Sequence, residues 1–257
     1  MKKVKISAIS YLNTAPFVYG LKRSAISRYI DLSLDSPAIC ATRLSQKDAD
    51  IGLVPVAVIP NLPYYNIISD YCIGAVGKVR TVVLYSNSPI ELLKQVYLDS
   101  ESHTSAMLSQ ILMHKFWKIN PQIEKIKNGI QIDPNLPYTG YVLIGDKVFN
   151  YENKFAYVYD LAVAWQQYIQ LPFIFAAWTT VTKLSSDFMK GFNDALALGL
   201  DNIHKVIDER EKLPTNRETA IEYLTTNINY IFDSQKKKAL IEFWNLALEE
   251  VKSKVRS

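Results

Sequence analysis

The 257-residue sequence holds two cysteines and three histidines, too few for the common catalytic and metal-binding signatures. Cys40 and Cys72 lack CxxC spacing, so they read as two reduced thiols, and a disulfide between them has no support. His103, His114 and His204 are scattered, and no Cys/His spacing suggests a metal. No GxGxxG occurs and GAVGKVRT is too short for a P-loop, so nucleotide binding has no signature. Neither GxSxG nor HExxH is present. No apolar run approaches the roughly 20 residues of a membrane span; the longest, LPFIFAAWTTV, falls short. MKKVKISAIS carries lysines but neither an apolar core nor a cleavage-type ending, so the expectation is a cytoplasmic protein without a secretory leader. Repeats, low-complexity segments and Gly/Ser linkers are also missing. These absences leave a site without metal or cofactor, in which positioning and hydrogen bonds carry the chemistry.

The composition, 49% hydrophobic and 21% charged, is that of a globular chain with length enough for a substantial core. The net charge of +4 is mild and dispersed. It can attract a small anion but makes no case for nucleic acid, which calls for a concentrated basic face. Oligomeric state is open at this level.

Strands and helices alternate along the chain. KVKISAIS reads as a strand, TAPFVYGLKRS as a turn into a helix, and IDLSLDS as a half-buried strand. Ser36-Pro37 then opens a helix over AICATRLSQKD, with Ser as cap and Pro at the first helical position. ADIGLVPVAVI is an apolar strand ending at Pro55, and TVVLYS is another, so the expectation is βαβαβ with a parallel sheet. QVYLDS, GYVLIGD and FAYVYD supply strands of a second set, TSAMLSQILMHKFW a helix, and LPFIFAAWTTV a returning strand. From Ser185 onward the pattern is helical, with starts at Ser-Ser-Asp and Asn-Arg-Glu. The lysine run at 236–238 is expected to face water. Two α/β sets without a linker suggest two lobes joined by a two-stranded hinge: residues 1–86 with 179–257, and residues 87–178. Ligands in such folds sit in the cleft between lobes, at strand ends and helix N-termini.

Two stretches are candidates for such a site. Ser10, Tyr11, Asn13 and Thr14 end the first strand on polar groups, which either cap the next turn or face a ligand at the sheet's carboxyl end. Ser102-His103-Thr104-Ser105 precedes the helical stripe of Met107, Leu108, Ile111 and Leu112. It serves as a cap, and its free N–H groups and positive dipole end can also seat a carboxylate.

ISYLNTAPF, DIGLVPV, SDYCIGAVGKVRTVVLYS, HTSAMLSQIL, YVLIGDKV and DLAVAWQQYIQLPFIFAAW occur in that order over roughly the first 180 residues. Together they resemble the chorismate dehydratase family of the futalosine route to menaquinone. The resemblance implies an α/β, two-lobed fold like the type II periplasmic binding proteins, with the ligand cleft between lobes. It implies Asn13 and Ser86 as catalytic positions. Ser10, Tyr11, Thr14, Pro55, His103, Thr104, Ser105, Asp146 and Asp160 would line the substrate, with no metal or cofactor and no nucleic-acid or membrane partner. The alternatives are the sister 1,4-dihydroxy-6-naphthoate synthase, which tends to begin with a SPCPNDTF-like stretch instead, and a non-catalytic small-anion binder. Val56 stands where the family usually has Ser, Thr81 replaces a frequent Ser, Ala162 a common Gly, and Ile169-Gln170 a usual Thr-Gly.

The implied reaction removes the C3 proton and the C4 hydroxyl of chorismate. It gives 3-[(1-carboxyvinyl)oxy]benzoate and water. Aromatisation drives it, so the enzyme chiefly orients the ring. A base is still needed. The matched stretches are rich in hydrogen-bond donors and poor in bases, which favours the substrate's own enolpyruvyl carboxylate over His103.

Overall fold

A computed structural model describes residues 3–126 and 132–256. In chain order the elements begin β1 (Val4–Ile9), α1 (Ala15–Arg23), β2 (Ile30–Asp35), α2 (Pro37–Ser45), β3 (Ile51–Pro55), β4 (Asn66–Ala75) and β5 (Val82–Ser86). Next come β6 (Gln95–Leu98), α3 (His103–Ile111), β7 (Gln122–Lys125), β8 (Thr139–Ile144), β9 (Tyr157–Asp160), α4 (Leu161–Ile169) and β10 (Phe173–Thr180). The chain closes with α5 (Ser186–Leu200), α6 (Ile203–Asp208), α7 (Arg217–Glu222), β11 (Asn229–Ile231) and α8 (Ser234–Arg256).

These elements fall into two compact units. The first holds residues 1–74 and 174–234, the second 75–173 and 235–257. The first unit carries a six-stranded sheet in the order β11-β4-β10-β3-β1-β2. β1 runs parallel to both β2 and β3, as βαβαβ patterning requires, whereas β10 lies antiparallel to β3. The sheet is therefore mixed rather than all parallel. β3 and β10, inside the sheet, are buried at every residue, while β2 at its edge is half exposed. α1 and α5 cross in backbone contact: a Cβ on Gly20 would lie 1.8 Å from the Ala195 carbonyl oxygen, and one on Gly199 would lie 1.7 Å from that of Pro16. Only glycine permits that approach, and it pins α1 against α5.

The second unit carries a five-stranded sheet in the order β7-β6-β8-β5-β9. β6 and β8 are parallel, and β5 runs antiparallel to both of its neighbours, β8 and β9. TVVLYS therefore belongs to the second unit and not to 1–86. The five residues of β5 are all buried, and both edges of the strand find partners there. The C-terminal helix also departs from the expected division. Phe243 of α8 packs edge-on against Trp165 and Phe173, with centroids 6.2 and 5.3 Å apart, and residues 235–257 group with the second unit. In the lysine run Lys237 and Lys238 are exposed, but Lys236 is buried, because helical spacing sets it on the face of Ala239, Leu240 and Phe243.

Local start signals act as the sequence suggests. Ser36 accepts from the Ile39 N–H, Ser185 from Phe188 and Asn216 from Thr219. Three segments differ. The helix expected over 185–210 breaks at Asp201 and Asn202 into α5 and α6. NRETAIEYLTTNINYIF leaves helix after a π turn at Tyr223–Asn227 and continues as strand β11. α3 likewise passes into a π turn at Leu112–Phe116.

Candidate functional site

In the first unit the candidates gather where β1, β2 and β3 end together. Ser10 donates its N–H to the Asp35 carbonyl and is exposed; Tyr11 is half-buried. A 3-10 turn at Leu12–Thr14 then leads into α1 with a proline in its first turn. Asn13 sits in this turn at 9% exposure. Its Nδ2 donates to the Tyr223 hydroxyl at 3.1 Å, its Oδ1 accepts from Thr14 Oγ1 at 3.2 Å, and its carbonyl accepts from the Tyr230 hydroxyl at 3.0 Å. Burial pushes the Tyr230 phenol well above its ordinary range and keeps it a donor. A primary amide offers two N–H donors and two lone pairs, so these contacts leave one of each for a ligand. Asn13 is thus a wedged amide rather than a surface one.

Pro55 closes β3 opposite Ala176 and is buried. Val56, where the resemblance leads to the expectation of Ser, is fully buried in the core. Sequence reasoning passed over the neighbouring Asp35. Its Oδ2 accepts from Ser7 Oγ and Ser33 Oγ, each at 2.7 Å, and from Arg43 Nη1 at 3.0 Å. Burial works against the charge, but the two hydroxyls and Arg43 outweigh it and hold the carboxyl below its usual range. The lone hydroxyl of β1, Ser7, was the available signal.

In the second unit, strand direction decides which candidates meet. The carboxyl ends of β6, β8 and β9 and the amino end of β5 share one end of the sheet. Thr104, Ser105, Asp146 and Asp160 lie on this side. Ser86 does not: it pairs with Gly140 and Tyr157 at the other end. It is fully buried, with its Oγ donating to the Thr139 carbonyl at 2.8 Å and accepting from the Ser88 N–H at 2.9 Å. The structure therefore separates Ser86 from the other candidates of its own unit.

At the populated end, Ser102 caps α3. Its Oγ accepts from the Ser105 N–H at 3.0 Å and donates to Ser105 Oγ at 2.9 Å. Thr104 and Ser105 are buried, whereas His103, the first helical residue, is exposed. Asp99, at the end of β6, holds Lys147 at 2.7 Å. Burial opposes the charge on Lys147, but Asp99 and then Glu101 outweigh it and raise its pKa. Asp146 is half-buried beside it, in a 3-10 turn opened by Gly145 at φ 67°.

Asp160 is a clamp. Oδ1 accepts from Ala162, Val163 and Val79 N–H groups, and Oδ2 accepts from the Arg80 N–H at 2.7 Å. Burial pushes this carboxyl up, with the four N–H groups pulling it partly back. These bonds occupy its acceptor capacity, so its role is to cap α4 and fix the segment entering β5. Arg80 there has left-handed backbone at φ 69°, and its guanidinium grips Glu152 at 2.7 Å. Thr81 follows, buried at the same end of the sheet, and takes its place among the candidates. A cavity of about 390 Å³, bordered by Lys78, Trp117, Tyr159, Asp160, Val163 and Gln167, lies beside β9 and α4 and includes none of the α3 residues. Among the described residues no group of three His, Cys, Asp or Glu is placed to hold a metal, and no helix is long and apolar enough to cross a membrane.

Comparison with solved structures shows the fold. A protein from Archaeoglobus fulgidus superposes with a TM-score of 0.73 at 14% identity, over 96% of this chain and 97% of that one. A Candida albicans gene product described as having the generic periplasmic binding protein fold gives 0.66 at 13% identity, over 98% and 95%. The periplasmic aliphatic sulphonate binding protein of Escherichia coli gives 0.61 at 14%, over 97% and 87%. The fold is α/β and periplasmic-binding-protein-like. Among curated proteins, the chorismate dehydratase of Thermus thermophilus is 28% identical over 130 residues, 44% of this chain and 47% of that protein. The similarity therefore spans about half the length of that relative. The model of the menaquinone biosynthesis family matches residues 4–249, nearly the whole chain. With that extent of match, and with the fold of its two units, the chain belongs to the menaquinone biosynthesis family.

Proposed function

We propose that the chain is a chorismate dehydratase, converting chorismate to 3-[(1-carboxyvinyl)oxy]benzoate and water. The observation that carries this reading is the similarity to the Thermus thermophilus chorismate dehydratase within a family match that covers residues 4–249. The geometry of the first unit supports it. Asn13 is held by Tyr223 and Thr14 yet retains one donor and one acceptor, the pair needed to engage a carboxylate or hydroxyl of the ring. Rigid placement of that amide favours elimination by orientation, worth several kcal/mol of barrier in well-aligned cases.

In the second unit, His103 and the first turn of α3 offer the positive end of a helix dipole to a substrate carboxylate. The buried Thr104 and Ser105 hydroxyls support that turn. The proton at C3 passes to the substrate's enolpyruvyl carboxylate, and the C4 hydroxyl leaves as the ring becomes aromatic. Two observations favour substrate assistance: Asp160 is taken up by four N–H groups, and Asp99 by Lys147. Ser86, held between backbone groups at the far end of its sheet, takes no part.

The test is incubation of purified protein with chorismate, following the aromatic product by absorbance and mass. Stoichiometric product and water are expected. Binding of chorismate without turnover would identify a small-anion binder and overturn the assignment. His103→Gln should retain most of its turnover; a thousand-fold loss with normal binding would make the imidazole the base.

A further inference from the structure

We propose that α8 docks the protein on an anionic lipid surface. Ile241, Leu248 and Val251 are 58%, 58% and 50% exposed, and Trp244 beside them is half-buried. Their spacing of three, four and three residues gathers them in an arc of about 80° along one side of the helix. Single exposed aliphatic residues are ordinary, but an aligned row of three with a tryptophan is a face. This is not the face that packs on the unit. Ala239, Leu240, Phe243 and Leu246 are buried, and their side lies about 125° around the helix from the row.

The charges around the row select the occupant. Lys237 continues its line toward the helix start, and Lys252 and Lys238 lie about 20° and 60° beyond Ile241 along one edge of it; all three are exposed. The acidic residues of α8 point elsewhere. Glu249 pairs with Lys115 at 2.7 Å, Glu250 is buried against His114 at 2.9 Å, and Glu242 lies about 140° from the row. A second copy of the helix laid antiparallel on this face would bring Lys238 of one copy against Lys252 of the other, which disfavours self-pairing. An apolar row with an indole, lined along one edge by lysines whose neighbouring carboxylate, Glu249, is paired with Lys115, is the pattern of a helix lying in the plane of an anionic membrane. The attachment is peripheral, since no described helix can span a bilayer.

The experiment is flotation of the full-length protein with vesicles of phosphatidylcholine alone or with phosphatidylglycerol added. Binding to the anionic vesicles is expected to exceed binding to the neutral ones at least tenfold and to fall in high salt. Tryptophan emission should shift to the blue on binding, and the shift should vanish in Trp244→Phe. Lys238→Glu with Lys252→Glu should lower binding by about tenfold or more, since each lysine near such a surface is worth roughly fivefold. Ile241→Gln with Leu248→Gln should abolish binding with unchanged circular dichroism, because both side chains are exposed. Equal binding to both vesicles, or no binding to either, would refute the proposal. So would a dimer in sedimentation equilibrium that the Ile241→Gln, Leu248→Gln pair dissociates, because a second copy would then be the occupant.

Discussion

Asn13 and Tyr223 are separated by 210 residues in sequence, and their hydrogen bond ties the turn after β1 to the π turn after α7. Asn13→Ala removes that 3.1 Å bond and the 3.2 Å bond from Thr14. It also takes a partner from two fully buried hydroxyls, those of Thr14 and Tyr223. Each neutral bond is worth about 1 kcal/mol net, and each orphaned buried group adds about 1–3 kcal/mol. The expected loss is therefore about 4–8 kcal/mol where neither hydroxyl finds another partner and about 2 kcal/mol where both do, although a cleft amide read from sequence alone would cost the core little. Tyr223→Phe removes one hydroxyl and should cost about 1 kcal/mol. Asn13→Ala in that background should cost less than in the native protein, because the Tyr223 hydroxyl is no longer there to be stranded. The coupling expected from the cycle is about 1 kcal/mol. Urea unfolding of the four proteins, compared at a constant m-value, measures it. Under the proposed function, turnover of chorismate gives the second readout: Tyr223→Phe should keep most of its activity, while Asn13→Ala loses at least ten-fold. Additive stabilities within about 0.3 kcal/mol would refute the idea that the two side chains act as a unit.

Four other substitutions test the remaining structural assignments. Ser102→Ala and Ser86→Ala each remove bonds to buried backbone or hydroxyl groups. Each should lower stability by about 1–2 kcal/mol and leave kcat/KM within two-fold; a hundred-fold loss in Ser86→Ala would return that residue to catalysis. Gly199→Ala drives a Cβ into the Pro16 carbonyl, so it should lower Tm steeply or prevent soluble expression, and a native-like Tm would show that α1 and α5 can part without cost. The depressed pKa of Asp35 fixes a sign: its folded carboxyl titrates below 3.8, so its stabilisation is complete above that pH and is lost as pH falls through the lower folded value. Asp35→Asn should flatten the acid limb of stability below about pH 4, and an unchanged limb would show that the Ser7, Ser33 and Arg43 contacts do not favour the charged form.

What could be read from sequence was local. Ser36-Pro37, Ser185 and Asn216 announce helices because a cap needs only its own next three residues. The buried runs IGLVP, VVLYS and TGYVLI declare strands by composition. Direction and partner do not appear in such runs. TVVLYS looked like the last strand of the first unit, because nothing in its residues says that both neighbours come later in the chain. The same ignorance misplaced Ser86, since a polar residue at a strand's end faces a ligand only if that strand runs the right way. Asp160 was legible as the polar end of the strand FAYVYD. That its oxygens are spent on Val79 and Arg80, some 80 positions earlier, was not.

The position of β10 has a consequence for how the protein is made. It is the strand between β3 and β4 in the first sheet, yet it is synthesised about a hundred residues after them, with most of the second unit in between. Pro55 must wait for Ala176 before the middle of its sheet exists. During synthesis β3 therefore emerges as a wholly apolar strand with one edge unfilled, the kind of segment that chaperones hold and that aggregates when they do not. Chains stalled or truncated just short of residue 173 should be the form of this protein most prone to self-association. A temperature-sensitive defect is accordingly expected to show first in the yield of newly made protein, not in the activity of molecules already folded.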